Sequence, residues 1–320
     1  MQRSVLLFLL LISSSLTQIL AQQKPFTFVA LGDMPYNLPA DYARYDNVIK
    51  EINLQNQVFN VFVGDIKASS LPCSQEVYDK MLNSFAQFKK PLIYTPGDNE
   101  WTDCGKKEAG SFVPEERLDV LRSTFYKDKL KSFGIEKMPL ISQGSNPEYT
   151  KFVENTRWEN QNIGFATIHI VGTNNNFTPE SKSNNYEFFE RDKADLAWLE
   201  EIFQNAKAKN LAGIVIFEHA DMFNDDKDAG DANAFKHIIK RLKELTIDFK
   251  KPVLLINGDS HVFLVDKPLY EKGKEKEKKC IDNFTRLQVP GDANMHAVKV
   301  TINPESKSLF QIEQLMVEGN

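Results

Sequence analysis

The sequence predicts an α/β fold built on a parallel β-sheet that is covered by helices. Of its 320 residues, 42% are hydrophobic and 26% are charged, which is typical of a globular chain that buries a sizeable core. Short runs that are apolar on both faces alternate along the chain with longer amphipathic segments. Strands buried on both faces indicate a parallel sheet, because the crossover helices pack against both of its sides.

The N-terminal half predicts three pairs of a strand and a helix. The strands are short and apolar, and the helices repeat apolar residues every three or four positions. The strands are residues 26–31, 58–63 and 91–94, and the helices are residues 41–56, 75–88 and 115–126.

The second half adds a hairpin, two helices and several short strands. Residues 149–153 and 164–171 alternate in polarity, which predicts the two strands of a hairpin. Residues 192–209 form a strongly amphipathic pattern, which predicts a long helix. The other predicted elements are a helix at residues 231–245 and strands at residues 211–217, 252–256, 262–265, 284–289, 297–302 and 310–314.

The N-terminus predicts a signal peptide at residues 1–21. Arg3 supplies a positive charge, residues 5–12 form an apolar run, and Ala21 is a small residue before the expected cleavage position. A membrane anchor is the alternative, but the apolar run is too short to cross ~30 Å of hydrocarbon. We therefore expect a secreted, extracellular or periplasmic protein with no transmembrane segment, in which residues 22–320 form a single domain.

The cysteines and two glycosylation signals agree with export. Cys73 and Cys104 each lie in a loop after an apolar run and could pair as a disulfide, which leaves Cys280 free or intermolecular. The triplets that begin at Asn176 and Asn283 match the Asn-x-Ser/Thr signal for glycosylation. A glycan is expected at these positions only in a host that glycosylates its exported proteins.

Acidic residues and histidines follow five of the predicted strands. They are Gly32-Asp33, Gly64-Asp65, Gly97-Asp98, His219 and Gly258-Asp259-Ser260-His261. The carboxyl ends of parallel strands share one edge of a sheet, where ligands bind, so these side chains should converge. Each Gly-Asp pair alone would be an ordinary turn after a strand. Four aspartates and two histidines at one edge repel one another unless a cation holds them, and such a set is typical of a divalent metal site.

This series of motifs resembles the calcineurin-like metallophosphoesterase superfamily, which includes the purple acid phosphatases. The superfamily pattern runs Asp-x-His, Gly-Asp, Gly-Asn-His-Glu, a lone His and Gly-His-x-His, and the resemblance covers about residues 26–263. It implies an α/β fold that is a four-layer α/β/β/α sandwich, with two mixed sheets flanked by helices. The late strands would join the second sheet, and the metal site would lie at the C-terminal ends of the strands.

The resemblance also implies two metal ions and a hydrolytic reaction. Six side chains would hold the ions: Asp33 and His261 the first ion, Asp65 both ions, and Asp98, His219 and Asp259 the second ion. A hydroxide held by the metals would attack the phosphorus of a phosphate monoester or diester. The implied substrate is a small phosphorylated molecule.

Three positions depart from the superfamily pattern. Pro35 replaces the first-motif histidine, although the adjacent Tyr36 could reach the metal as the tyrosine of purple acid phosphatases does. That tyrosine belongs to the second motif, where this chain has Ala68. Asn99 replaces the histidine that usually protonates the leaving group, and Asp259 replaces the first histidine of the fifth motif. More oxygen ligands favour Mg, Mn, Ca or Fe ions over Zn.

Several other residues are candidates for contact with substrate. Trp101 follows the third motif and is expected to edge the pocket, where it would pack on a substrate ring or simply form the wall of a loop. Asn174 follows a predicted strand and is a candidate ligand for phosphate oxygens. Glu218 or His296 could replace the missing proton donor, although packing or surface roles are the alternative for both.

Two functions remain open from the sequence. The first is a secreted metallophosphoesterase with Asp98, Asn99 and His219 at its catalytic centre. Loss of the proton donor favours nucleotides, pyrophosphates or phosphodiesters, whose leaving groups need no protonation. The second is a secreted binding or adhesion protein that keeps the fold without turnover. A net charge of −5 lacks the basic surplus of most nucleic-acid-binding proteins, so no nucleic-acid surface is predicted.

Overall fold

Two β-sheets stack face to face between two layers of helices in the computed structural model, which describes residues 24–181, 185–224, 233–271 and 279–320. The strands are β1 (Phe26–Leu31), β2 (Asn60–Phe62), β3 (Leu92–Tyr94), β4 (Ile141–Ser142), β5 (Thr156–Asn160), β6 (Ile163–Thr167), β7 (Gly213–Phe217), β8 (Val253–Asn257), β9 (Leu264–Asp266), β10 (Phe284–Gln288), β11 (Ala297–Ile302) and β12 (Phe310–Leu315). The long helices are α1 (Asp41–Ile52), α2 (Gln75–Phe85), α3 (Pro114–Phe125), α4 (Tyr186–Ala208) and α5 (Lys236–Phe249).

Both sheets are mixed. In the described parts of the chain, the smaller sheet has the strand order β12-β11-β1-β2-β3 and the larger sheet has the order β4-β5-β6-β7-β8-β10-β9. Strands β1, β2 and β3 are parallel, as are β6, β7, β8 and β10. Strands β11 and β12 pair antiparallel at the end of the smaller sheet. Each sheet therefore contains a run of adjacent parallel strands whose C-terminal ends share one edge.

Aromatic side chains fill the space between the two sheets. Phe28 of the smaller sheet packs edge-on against Phe217 of the larger one, with ring centroids 5.6 Å apart. Phe59, Trp158 and Phe165 extend the same cluster. Because strands next to such a core must be apolar on both faces, this layer explains the continuous apolar runs in the sequence.

Helices cover the outer face of each sheet. Residues of α1, α2 and α3 form a core with the smaller sheet, and residues of α4 and α5 form another with the larger sheet. Tyr45 and Phe85 are fully buried in the first of these cores, and Trp198 is almost fully buried in the second. The α/β class and the four-layer arrangement that the resemblance implied are confirmed.

Several predicted elements differ from the structure. The strand expected at residues 149–153 is wrong: the amide of Phe152 donates to the carbonyl of Tyr149, a local turn bond, and the first hairpin strand is β5 instead. Helix α4 begins at Tyr186, before the expected residue 192. Helix α5 begins at Lys236, whereas the expected start at residue 231 lies outside the described residues.

The predicted signal peptide at residues 1–21 also lies outside the described residues. In the part of the chain that the structure describes, no helix is both long and apolar enough to cross a membrane.

Candidate metal centre

The acidic residues and histidines that follow the strands meet at one edge of the two sheets. Within the described residues they form two overlapping groups of ligand atoms, each lying within 4.8 Å of one another: Asp33, Asp65 and His219 in one, and Asp98, His219 and Asp259 in the other. His261 lies beside the first group, with Nε2 3.5 Å from Asp33 Oδ1. The structure thus brings together the six predicted ligands, while their binding of metal stays a prediction.

Glycines make the close approach of these carboxylates feasible. A Cβ atom on Gly97 would lie 2.2 Å from Asp65 Oδ1, and one on Gly258 would lie 2.3 Å from Asp33 Oδ2. A Cβ on Gly172 would lie 2.8 Å from the Oδ1 atoms of both Asp98 and Asp259. Gly97 and Gly258 therefore each make room for a carboxylate of a different motif, and Gly172 makes room for two carboxylates, so the site is assembled from neighbouring strand ends.

Four of the predicted ligands have left-handed backbone conformations. The φ angles are 57° at Asp33, 58° at Asp65, 71° at Asp259 and 60° at His261. Such angles are unfavourable for residues other than glycine, and they cluster at functional sites whose surroundings hold them in place. Here the Asp259 amide donates to Asp33 Oδ1 over 2.9 Å, so the first and fifth motifs support each other.

His219 is oriented by the smaller sheet. Its Nδ1–H donates to the carbonyl of Val63 over 2.8 Å, which leaves Nε2 3.0 Å from Asp98 Oδ1 and 3.3 Å from Asp65 Oδ1. Burial alone would lower the pKa of this imidazole, but Asp65, Asp98 and Asp33 more than offset it and raise the pKa well above its usual value. An excess of negative charge therefore surrounds the imidazole.

Asp65 lies at the centre of a polar cluster. Its Oδ2 accepts a hydrogen bond from Tyr36 Oη over 2.5 Å and another from the side-chain amide of Asn99. Tyr36 Oη also lies 3.2 Å from His261 Nε2. Burial, together with the nearby Asp98 carboxylate, raises the pKa of Asp65 well above its usual value. The structure thus places Tyr36 among the predicted ligands, although Pro35 occupies the position of the missing histidine.

The environment of the Asp33 carboxyl group fits a bound cation. This carboxyl group is fully buried, and its Oδ2 has no hydrogen-bond partner among the described residues. Burial raises the pKa of Asp33, since no donor compensates the loss of water at that oxygen. Buried carboxylate oxygens without donors, beside imidazole nitrogens, fit the ligand set of a divalent metal ion.

Glu100 holds two of the strand ends together, although the sequence assigned it no role. Its Oε1 accepts hydrogen bonds from the amide of Gly97 over 2.6 Å, the amide of Asp65 over 3.2 Å and the hydroxyl of Tyr94 over 2.7 Å. The side chain is fully buried. The sequence signal that could have identified Glu100 is its position as the last residue of the third motif.

Lys67 is a buried cation that the sequence analysis also missed. It is fully buried two residues after Asp65, and Nζ donates to the carbonyl of Ala68 over 3.2 Å. Burial lowers the pKa of Lys67 to about 8, although Glu100 and Asp65 oppose the shift. Its positive charge offsets part of the negative charge that collects at the strand ends.

Thr173, rather than Asn174, contacts the carboxylates. Thr173 Oγ1 donates to Asp98 Oδ2 over 2.5 Å and lies 3.3 Å from Asp103 Oδ1. The amide of Asn174 instead donates to the carbonyl of Phe177 over 2.9 Å and accepts from the amide of Ala234 over 3.1 Å. The side chain of Asn174 thus has backbone partners, and its contact with phosphate stays a prediction, while no sequence signal pointed to Thr173.

Trp101 does not edge the pocket as the sequence predicted. The indole is fully buried against Leu118 and Val171. The ring of His169 lies 5.5 Å from it, and the guanidinium of Arg191 lies 5.4 Å from its centroid. Because no part of Trp101 reaches the surface, it forms the wall behind the third motif and cannot stack on a substrate.

The other side chains named from the sequence have these positions. Cys73 and Cys104 form a disulfide that joins the loops after β2 and β3, and Cys280 is free. The Asn176 amide donates to Glu187, and the Asn283 amide donates to the carbonyls of Thr246 and Lys251, so glycosylation at either asparagine stays a prediction. Glu218 and His296 are both buried, which favours the packing alternative for each.

A four-layer sandwich with aspartates and histidines at the strand ends defines a metal-dependent phosphoesterase fold. The sequence matches the calcineurin-like phosphoesterase family over residues 26–263, and the chain belongs to that family. No curated protein sequence matches this chain.

The chain is similar to several solved structures at low sequence identity. A purple acid phosphatase from yellow lupin (Lupinus luteus) seeds is 12% identical with a TM-score of 0.51, and the match covers 92% of this chain and 54% of that one. TT1561 of Thermus thermophilus is 11% identical, with a TM-score of 0.49 and coverage of 92% and 100%. GAP50, the anchor in the inner membrane complex of Plasmodium, is 11% identical, with a TM-score of 0.48 and coverage of 92% and 90%.

Proposed function

We propose that this chain is a secreted hydrolase of phosphate esters that works with two divalent metal ions. The observation that carries the proposal is the pair of overlapping ligand groups that share His219. Asp33, His261 and Tyr36 would hold one ion, and Asp98, His219 and Asp259 would hold the other. Asp65 belongs to the first group and has Oδ1 3.3 Å from the shared His219, so it would bridge the ions.

The chain's own residues would prepare the site for this chemistry. When bound, the ions would polarise the phosphoryl group and activate water for attack on phosphorus. Burial tends to raise the pKa of Asp98, but the hydrogen bond and charge of His219 and the Thr173 hydroxyl lower it to about 2. Asp98 therefore stays ionised across the physiological range. Glu100 fixes the amides of Gly97 and Asp65, so the second and third strand ends keep their spacing.

The substrate class follows from Asn99. Its side-chain amide donates to Asp65 Oδ2 and, over 3.1 Å, to Tyr36 Oη, and an amide cannot supply a proton to a departing alkoxide. Leaving groups that depart without protonation are therefore preferred. Nucleoside di- and triphosphates, other pyrophosphates and phosphodiesters of acidic alcohols meet this requirement better than alkyl monoesters do.

Export and metal preference are parts of the same proposal. The leader-like residues 1–21 and the Cys73–Cys104 disulfide support a secreted protein whose residues 22–320 act as one domain. An oxygen-rich ligand set supports Mn, Fe, Mg or Ca over Zn.

A second candidate is a secreted binding protein that keeps the fold without turnover. The observation in its favour is the hydrogen bonding of Asn99. With Tyr36, its amide saturates Asp65 Oδ2 without any metal, and its backbone amide donates to Asp65 Oδ1 over 3.0 Å. A carboxylate that already accepts these hydrogen bonds depends less on bridging metal ions to compensate its charge.

Metal analysis combined with turnover separates the two candidates. Purified wild type, Asp65→Asn and the control Asp128→Asn, which changes an exposed aspartate, are incubated with Mn²⁺, dialysed and analysed by mass spectrometry. We expect about two ions per chain in the wild type and the control and fewer than one in Asp65→Asn. Turnover of bis(p-nitrophenyl) phosphate should follow the metal content. Metal without turnover of any phosphoester would favour the binding protein, and no metal in the wild type would contradict the hydrolase.

A further inference from the structure

Residues 173–176, directly after Gly172, form a left-handed turn at the edge of the candidate metal centre. The φ angles of Thr173, Asn174, Asn175 and Asn176 are 49°, 50°, 53° and 59°. Left-handed conformations occur in natural chains as single residues, mostly glycine and asparagine, and consecutive ones are unfavourable. A β-branched threonine at such an angle is a genuine outlier. A strained conformation of this kind persists only where the surrounding structure imposes it.

Helix α4 imposes this conformation through Arg191, which is fully buried. Its Nη1 donates to Asn175 Oδ1 over 2.6 Å and to the carbonyl of His169 over 2.9 Å, and its Nη2 donates to the carbonyl of Asn175 over 3.0 Å. Glu187 pairs with Arg191 Nε over 2.6 Å and also accepts from the amide of Asn176 over 2.9 Å. Two charged side chains of one helix thus hold two asparagines of the turn.

We infer that Thr173 is a positioning residue of the proposed metal centre, and that the turn at residues 173–176 holds its hydroxyl on Asp98. The inference rests on the proposed function, because it concerns one of the metal ligands named there. Thr173 is exposed, yet its Oγ1 donates to Asp98 Oδ2 over 2.5 Å. Its contact with Asp98 is therefore made from the solvent side of the carboxylate.

The hydroxyl of Thr173 determines which oxygen of Asp98 faces the ligand group. Oδ2 is occupied by the threonine, whereas Oδ1 lies 3.0 Å from His219 Nε2 and next to Gly172. Without the hydroxyl, the carboxylate is free to rotate about its χ2 bond, which is a soft torsion. A hydrogen bond to an ionised ligand orients it, and loss of such a partner commonly weakens metal binding by roughly 10- to 100-fold.

The test is a calorimetric titration with Mn²⁺ of four proteins: wild type, Thr173→Val, Thr173→Ser and Thr124→Val. Valine keeps the shape and branching of threonine but has no donor, and serine keeps the donor. The hydroxyl of Thr124, in helix α3, accepts a hydrogen bond from the side-chain amide of Gln75 over 3.3 Å. Thr124→Val removes this hydroxyl and therefore controls for the loss of a hydroxyl elsewhere. Melting temperatures in EDTA report on folding without metal.

We expect Thr173→Val to weaken one of two Mn²⁺ sites roughly tenfold, with an unchanged melting temperature in EDTA. Thr173→Ser and Thr124→Val should bind as the wild type does. If the valine variant does not fold, Thr173→Gly replaces it, since glycine accepts the φ angle and also lacks the donor. Wild-type affinity in Thr173→Val, or equal weakening in Thr173→Ser, would overturn the inference alone. A wild type that binds no Mn²⁺ would overturn the proposed function and this inference with it.

Discussion

His219 of the larger sheet contacts Asp98 of the smaller sheet, with Nε2 3.0 Å from Oδ1. The same imidazole donates from Nδ1 to Val63, so both of its nitrogens face the opposite sheet. His219 is also the one residue common to both ligand groups of the described chain. The candidate centre therefore exists only when the two sheets are stacked, and metal binding should be coupled to their packing.

Replacement of His219 should remove the ion that it shares with Asp98 and Asp259. We expect His219→Gln to retain about one Mn²⁺ per chain and to lose about 100-fold in turnover, because the imidazole ligand of one of the two ions is gone. Metal content and phosphodiesterase rates measure this. His237→Gln is the matched control, since His237 is an exposed histidine of helix α5. Two ions per chain in His219→Gln would contradict the role of His219 as a ligand.

A methyl group at Gly97 should distort the candidate metal centre by steric overlap alone. Its Cβ would lie 2.2 Å from Asp65 Oδ1, which forces the carboxylate or the strand end to move. We expect Gly97→Ala to weaken Mn²⁺ binding by roughly tenfold or more. Losses of this size are typical when residues that orient a metal ligand are changed. The control is Gly105→Ala, where the nearest atom would be 3.7 Å away. Equal Mn²⁺ affinity in the two variants, measured by calorimetry, would show that this close packing is unimportant.

The sequence predicted the ligands better than their supports. Asp33, Asp65 and Asp98 follow buried apolar strands after a glycine, and that local pattern suffices to place them at the sheet edge. The role of Thr173 depends on a left-handed turn held by Arg191, which is distant in sequence and whose contacts no local pattern encodes. Likewise, Trp101 follows a motif directly, but its burial is decided by Arg191 and by Leu118 of helix α3.

Element types were predictable where apolar runs were long, and less so where alternation was short. Residues 149–153 were expected to alternate in polarity as a strand does, yet their backbone forms turns. The true partner of β6 is β5, in which Trp158 packs into the core between the sheets. The packing of Trp158 between the sheets thus outweighed the alternating pattern at residues 149–153 in determining which segment forms the strand.

Metal should stabilise the fold, because it compensates the buried carboxylates. At a Mn²⁺ concentration about 100-fold above the dissociation constant, linkage predicts a gain of about 2.7 kcal/mol in the free energy of unfolding. For a chain of this size the melting temperature should rise by roughly 4 °C relative to EDTA. Asp33→Asn should show less than half of this rise, because Asp33 Oδ2 is a buried carboxylate oxygen of the candidate metal centre without a donor among the described residues. An equal rise in that variant would place the stabilising metal elsewhere.

The buried ion cluster around Glu154 should control acid stability independently of metal. Glu154 is fully buried, and it accepts from Arg122 Nη2 over 2.6 Å and from His169 Nδ1 over 2.7 Å. Burial opposes ionisation, but Arg122 and His169 outweigh it and hold the pKa of Glu154 well below its usual value. A carboxyl group whose pKa is lower in the folded chain stabilises the fold at pH values above its pKa in the unfolded chain, which is ~4.3. This stabilisation is lost as the pH falls below that value. Burial also lowers the pKa of His169, so protonation below about pH 6.5 opposes folding as well.

Glu154→Gln should therefore be destabilised by about 3 kcal/mol at pH 7, because it leaves Arg122 without its buried partner. The difference from the wild type should shrink as the pH falls below about 4, where the wild-type carboxyl begins to lose its advantage. Urea unfolding in EDTA between pH 3 and pH 7 measures this without any contribution from metal. Glu148→Gln, at an exposed position, should match the wild type throughout. A Glu154→Gln deficit that stays constant with pH would mean that packing, not charge, accounts for the role of Glu154.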